Sequence, residues 1–211
     1  MTKKELLSLT ARKESTTLEF KRTIDNPYKI ARTLAAFANT SGGFLLIGIN
    51  DNKTVEGIGS ELQEIERLYK AASELNEPMI ELSYFIGEVQ TKKIIVVEVK
   101  KSANRPHATL QSDHSQEVYV RANDKTIPVG KTSIQFLSLE IPSNVKNNFK
   151  GQAIPKNLEI YLQKNDQITV KLMAKLSNIS EYRAEKLLKE LARQGVLLFL
   201  DTLKPQAFCL K

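Results

Sequence analysis

Apolar and polar residues alternate over 17–22, with Leu18 and Phe20 on one side and Thr17, Glu19 and Lys21 on the other. That period of two predicts a half-buried strand. Ahead of it, 4–10 reads as a short amphipathic helix around Leu6, Leu7 and Leu9. After it the spacing turns helical. Asp25-Asn26-Pro27 supplies a cap and a first-turn proline, and Ile30, Leu34, Phe37 and Ala38 follow along one face. Asn39-Thr40-Ser41-Gly42-Gly43 ends that helix. Residues 44–49 are almost wholly apolar, as expected of a strand covered on both sides.

Residues 54–59 predict a short strand and turn, and Leu62, Ile65, Leu68 and Ala72 mark another helix. Two strands, 80–89 and 92–100, meet at a tight turn on Gln90-Thr91. A loop carrying Pro106 and His107 leads to a strand at 118–121, and 134–139 predicts a closing helix. The expected fold is therefore α+β, a mixed sheet flanked by helices, over residues 1–140. Residues 141–154 are polar, rich in Asn and Lys, and read as a linker. The remainder, 155–211, has a different rhythm: short helices at 158–162 and 169–176, a turn at Asn178-Ile179, and a third helix capped by Ser180. Gly195 stops it, and 196–200 pairs with 206–210 around Pro205. Three helices followed by a hairpin is the order of a winged helix-turn-helix.

Composition narrows the class. A hydrophobic content of 41% supports a core. No apolar run approaches the roughly 18 residues a membrane span needs, and no signal-peptide core is visible among the interrupted leucines near the start. The single Cys209 excludes an internal disulfide and a thiolate metal cluster. A cytoplasmic location is the simplest reading. The net charge of +7 is uneven: residues 1–140 carry 19 Lys/Arg against 18 Asp/Glu, and 141–211 carry 12 against 6. A basic excess confined to one module favours polyanions through counterion release.

Three acids are candidates for chemistry. Glu14 and Glu19 lie five residues apart at the entry to a strand, and Asp51 ends the next apolar strand. Meeting at one sheet edge, such carboxylates are hard ligands for Mg²⁺ or Mn²⁺, and a metal held there would polarise a phosphoryl oxygen. The plainer alternative is a set of solvated acids balanced by Lys13, Lys21 and Arg22. Val129-Gly130-Lys131-Thr132 ends like a phosphate-binding loop, but Lys125 stands where its leading glycine belongs, so no ATP site is expected. His107 and His114 are too few for a histidine metal site and are read as loop residues. On the third helix of the C-terminal module, Tyr182, Arg183, Lys186, Lys189 and Arg193 are candidates for phosphate or base contacts. They share it with Glu181, Glu185 and Glu190. Lys146, Lys150 and Lys156 add charge near the linker.

Taken together, Glu14-Ser15-x-x-Leu18-Glu19-Phe20-Lys21, Phe37-Ala38-Asn39-Thr40-x-Gly42-Gly43 and Leu46-Ile47-Gly48-Ile49-Asn50-Asp51 resemble the Schlafen-type AlbA domain. Arg105-Pro106-His107 and Tyr119-Val120-Arg121 are similar as well. The resemblance covers about residues 10–140 and implies a nucleic-acid-binding α/β fold, often in transcriptional regulators that add a winged helix. It carries a three-carboxylate nuclease site onto Glu14, Glu19 and Asp51, with Asn50 where some members have a further Asp. The larger nucleases have two such lobes and this chain one, so either a homodimer supplies the second lobe or the groove is missing. Lys21, Arg22 and Arg121 are then candidate phosphate contacts. The leading expectation is a DNA-binding regulator acting as a homodimer. The second is a metal-dependent endoribonuclease acting on structured RNA, and the third a protein-assembly module.

Overall fold

Thr2 opens the chain with a capping box: its hydroxyl accepts the N–H of Glu5, and the Glu5 carboxylate accepts the N–H of Thr2. Helix α1 (Lys3–Ala11) follows, then β1 (Leu18–Lys21), α2 (Pro27–Asn39) and β2 (Gly43–Ile47). Next come α3 (Glu61–Tyr69) with a π-helical turn (Lys70–Glu74), β3 (Asn76–Glu77), β4 (Leu82–Val89) and β5 (Lys92–Val99). The unit continues with β6 (Ala108–Leu110), β7 (Gln116–Ala122) and the start of β8 (Lys125–Val129). This is a computed structural model that describes residues 1–139 and 154–211. It divides into two compact units, Met1–Thr126 and Ile127–Lys211.

The first unit has a four-stranded sheet ordered β1-β2-β5-β4, and β3, β6 and β7, in that order, of a second sheet. In the former, β1 runs parallel to β2, whereas β2–β5 and β5–β4 are antiparallel. Gln90 and Thr91, both at positive φ, close the β4–β5 hairpin. One face of that sheet carries Leu45, Ile47, Ile95, Val97 and Val99 into a core with α2 and α3. The other carries Leu18, Phe20, Leu46 and Val96 against Leu6 and Leu9 of α1.

Helix α2 lies against the first sheet and also packs on β6 and β7 of the second. Nine of its thirteen residues are buried, among them Ala31, Ala35, Ala36 and Ala38, whose small side chains let strands approach closely. The helical face read from the sequence is thus one part of a helix buried nearly all round. Two further expectations change. Residues 54–59 form no strand and contribute the isolated bridge Ile49–Val55, while part of the loop expected to carry Pro106 and His107 to the next strand forms β6, held by β7.

The second unit contains α4 (Lys131–Ser138), α5 (Lys156–Leu162), β9 (Ile168–Thr169), α6 (Val170–Ser177), α7 (Glu181–Arg193), β10 (Leu197–Leu200) and β11 (Ala207–Leu210). Its antiparallel sheet is ordered β10-β11-β9. Leu158, Met173, Ala184, Leu188, Leu197 and Phe208 centre its core. Each cap has a local cause. The Thr169 hydroxyl accepts the N–H of Leu172, Asn178 ends α6 in the left-handed conformation, and the Ser180 hydroxyl accepts the N–H of Arg183.

The compact division falls at Thr126, whereas the first domain was expected to run to residue 140. The expected linker, 141–154, lies outside the described residues except for Ile154, which packs on the second core. The earlier division follows from Asp201. Its carboxylate accepts the N–H groups of Gly130 (2.7 Å) and Ser133 (3.2 Å) and the Ser133 hydroxyl (2.8 Å), so the end of β10 caps α4. Asp201 therefore occupies the helix end at which the Val129-Gly130-Lys131-Thr132 segment would hold a phosphate. Asp201→Ala is expected to cost about 1–2 kcal/mol, with amide exchange rising first in α4. Unchanged α4 protection would reject this capping role. Among the described residues no helix is long and apolar enough to cross a membrane.

Candidate nucleic-acid interface

Glu19 pairs in register with Leu45, so its side chain shares the α2-covered face of the sheet. A carboxylate there needs compensation. Arg121, 1% exposed, donates from Nη1 to Glu19 Oε2 at 2.9 Å, and Lys21 Nζ lies 2.5 Å from Oε1. Arg121 is fixed further by Ser15 O (2.7 Å) and Thr126 Oγ1 (3.2 Å), and its guanidinium lies 5.1 Å from the Phe37 ring centroid. Glu19 is not a solvated strand-edge acid, and Arg121 is not a surface phosphate contact. They form a buried ion pair that ties β1 to β7.

The other two acids take no part in that ion pair. Glu14 Oε1 accepts the N–H of Phe20 at 2.8 Å and so braces β1. Asp51 is exposed in the turn after β2. Among the described residues no group of three or more His, Cys, Asp or Glu side chains is gathered to hold a metal ion. Both Glu19 oxygens lie on cations and one Glu14 oxygen lies on the backbone. Of the candidate cations in this unit, Lys21 is taken by Glu19. Arg22 remains exposed, with Glu56 at 4.0 Å.

The segment 37–43 has structural work as well. Asn39 donates to the carbonyls of His107 (3.0 Å) and Tyr119 (2.9 Å) and accepts the N–H of His107 (2.8 Å). Thr40 Oγ1 accepts the N–H of Arg121 at 3.0 Å. Gly42 has φ +76°, and a Cβ there would stand 2.7 Å from the Val99 carbonyl oxygen, which explains its glycine. Tyr119 donates its hydroxyl to Glu117, and burial together with that bond pushes its pKa up to about 12. Sequence reading missed the roles of Asn39, Thr40 and Asp201 because their partners are distant in the chain.

Helix α7 sorts its candidates into two groups. Lys189 is held by Glu185 at 2.6 Å and lies 5.8 Å from the Phe199 ring centroid. Arg193 is 3.6 Å from Glu190 and 5.6 Å from the Phe136 centroid. Both are anchored to their own unit. Arg183 and Lys186 are exposed and make no ion pair among the described residues. Tyr182 beside them is 76% exposed. These three stand on the N-terminal half of α7, where the helix dipole is itself positive. Over residues 127–211 the chain carries 13 Lys/Arg against 7 Asp/Glu, and over 1–126 it carries 18 against 17.

A family model described as Schlafen, AlbA_2 matches residues 14–130, more than half of the chain. The chain belongs to the Schlafen AlbA_2 family. Within this AlbA_2 domain, the Glu14–Lys21 segment supplies the buried acid and its brace, and the 37–43 segment supplies the clasp on β7. Among solved structures, the N-terminal domain of a RecG-related protein from Nitrosomonas europaea is similar at 25% identity and a TM-score of 0.42. That match covers 51% of this chain and 78% of the other. The DIP2311 protein from Corynebacterium diphtheriae is similar at 14% identity and a TM-score of 0.47, over 74% of this chain and 41% of that one.

Proposed function

We propose that this protein binds nucleic acid, that its second unit is a winged helix-turn-helix, and that α7 contacts duplex DNA in a regulatory role in the cytoplasm. Membership of the Schlafen AlbA_2 family supports the nucleic-acid part of this reading. The order α5-β9-α6-α7-β10-β11, with a left-handed turn between α6 and α7, supports the winged helix. The observation that carries the DNA contact is the pair of unengaged cations, Arg183 and Lys186, beside exposed Tyr182 on the dipole-positive half of α7. Lys189 and Arg193 are left out of the contact because they are already paired. A homodimer would present two such helices to two half-sites, a geometry that light scattering and footprint length test together.

The combined substitution Arg183→Ala and Lys186→Ala removes two phosphate contacts and is expected to weaken duplex binding by about tenfold or more at moderate salt. Fluorescence anisotropy with a labelled duplex reads this directly. Lys189→Ala should change affinity less, since its ammonium is shared with Glu185. Equal affinity of the double variant and the wild type would remove α7 from the interface.

A further inference from the structure

Strand β4 is an edge of its sheet, eight residues long from Leu82 to Val89. Bulges, prolines and charges are the devices that normally protect such an edge from a further strand. Here the pairing with β5 runs one residue to one without a bulge, no proline interrupts it, and only Glu88 is charged. The opposite edge, β1, has four residues and carries Glu19 and Lys21. Alternate residues of an antiparallel edge turn their N–H and C=O groups away from the sheet, so about four residues of β4 offer an unfilled ladder. Large side chains flank that ladder on both faces. Tyr84, 39% exposed, stands on the face of Leu82 and Ile86, edge-on to Tyr69 of α3. Phe85, 40% exposed, stands on the α1 face, where it and the exposed Leu7 line a recess of about 530 Å³.

Gly87 sets the register that fits. A Cβ there would stand 2.6 Å from Leu6 Cδ2 and 2.9 Å from Phe85 Cε1, so the Phe85 ring leans along its own strand over the glycine. We propose that β4 pairs antiparallel with β4 of a second copy about a two-fold axis at Ile86, joining two four-stranded sheets into one of eight. A two-fold normal to the sheet keeps each face continuous and sets residues of equal parity opposite each other. Phe85 then faces the partner's Gly87, and Tyr84 faces the partner's Glu88. The two Phe85 rings, both leaning toward the axis, lie side by side at about the strand spacing of 5 Å. That separation suits a stacked aromatic pair, and the glycines leave it room. With Phe85 itself on the axis the rings would lean apart. The charges agree. Glu81 precedes the strand, and Lys3 lines the recess at the far end with Gln90 and Thr91. Antiparallel pairing brings each Glu81 toward the partner's Lys3. A second copy fits better than a foreign strand because each feature of this edge has its complement on the same edge. This gives the homodimer of the proposed function its interface and rests on that part of the reading alone.

Sedimentation equilibrium of the whole protein without nucleic acid is expected to give twice the chain mass of 23.8 kDa. Phe85→Lys is expected to raise the dimer dissociation constant about thirtyfold or more. The register is tested separately with Tyr84→Cys and Glu88→Cys. Within one chain these positions are about 13 Å apart along the strand, beyond the reach of a disulfide, and the native Cys209 is buried. Air oxidation is expected to link the double variant, and neither single variant, into a covalent dimer on a non-reducing gel. A monomeric wild type, which would leave the edge to a foreign strand, overturns the proposal. So does a dimer that Phe85→Lys leaves intact, or a double variant that does not cross-link. DNA is absent from all of these measurements, so their failure is distinct from a failure of the α7 contact.

Discussion

Replacing Glu19 with glutamine is expected to destabilise the first unit by about 3–5 kcal/mol, because it strips a buried guanidinium of its carboxylate. Arg121 is buried, and its remaining partners, Ser15 O and Thr126 Oγ1, carry no charge. Lys21 loses its partner too, but it is half-buried and regains water. The loss is therefore dominated by one group. A double variant, Glu19→Leu with Arg121→Met, removes both charges and is expected to recover most of the stability, since apolar replacement of a whole buried pair is often neutral. Urea unfolding followed through the amide signals of the first unit measures both. A variant that keeps wild-type stability on Glu19→Gln would show that the acid is not structural and would return it to the candidates for chemistry.

Asn39→Ala is expected to have an effect of similar size by a different route. Three buried backbone groups, the N–H and C=O of His107 and the C=O of Tyr119, lose their partner at once. Each unsatisfied group costs about 1–3 kcal/mol, so a total near 3–5 kcal/mol follows after partial relaxation. Asn39→Asp is expected to be no better. Its carboxylate still accepts from His107 N but faces two carbonyl oxygens with no proton to give. Hydrogen exchange should then rise in β6 and β7 before it rises in β4 and β5. Uniform exchange across both sheets would contradict the clasp.

What the sequence made legible was local. The β4–β5 hairpin, the α2 start at Asn26-Pro27, the glycine-bounded β2 and the Ser180 cap all follow from neighbours a few residues away. The burial of Glu19 does not. Its alternation with Leu18 and Phe20 implied a wet face, but the cation that allows that face to close lies on β7, 102 residues along the chain. The same holds for α4. Its periodicity predicted a helix, yet its distant partners, Asp201 and Phe199 on Ser133 and Arg193 over Phe136, reveal which unit owns it. On α7 the sequence named four cations, and three dimensions were needed to separate Arg183 and Lys186, without an ion pair among the described residues, from Lys189 and Arg193, which are paired on their own helix.

The salt dependence of duplex DNA binding tests the central claim most directly. Affinity of the wild type should fall linearly in log–log form with rising salt, with a slope of about −0.9 for each phosphate contacted. The Arg183→Ala, Lys186→Ala variant should bind more weakly with a slope shallower by about two. A wild type whose affinity ignores salt, or a variant whose slope is unchanged, would contradict nucleic-acid binding through α7.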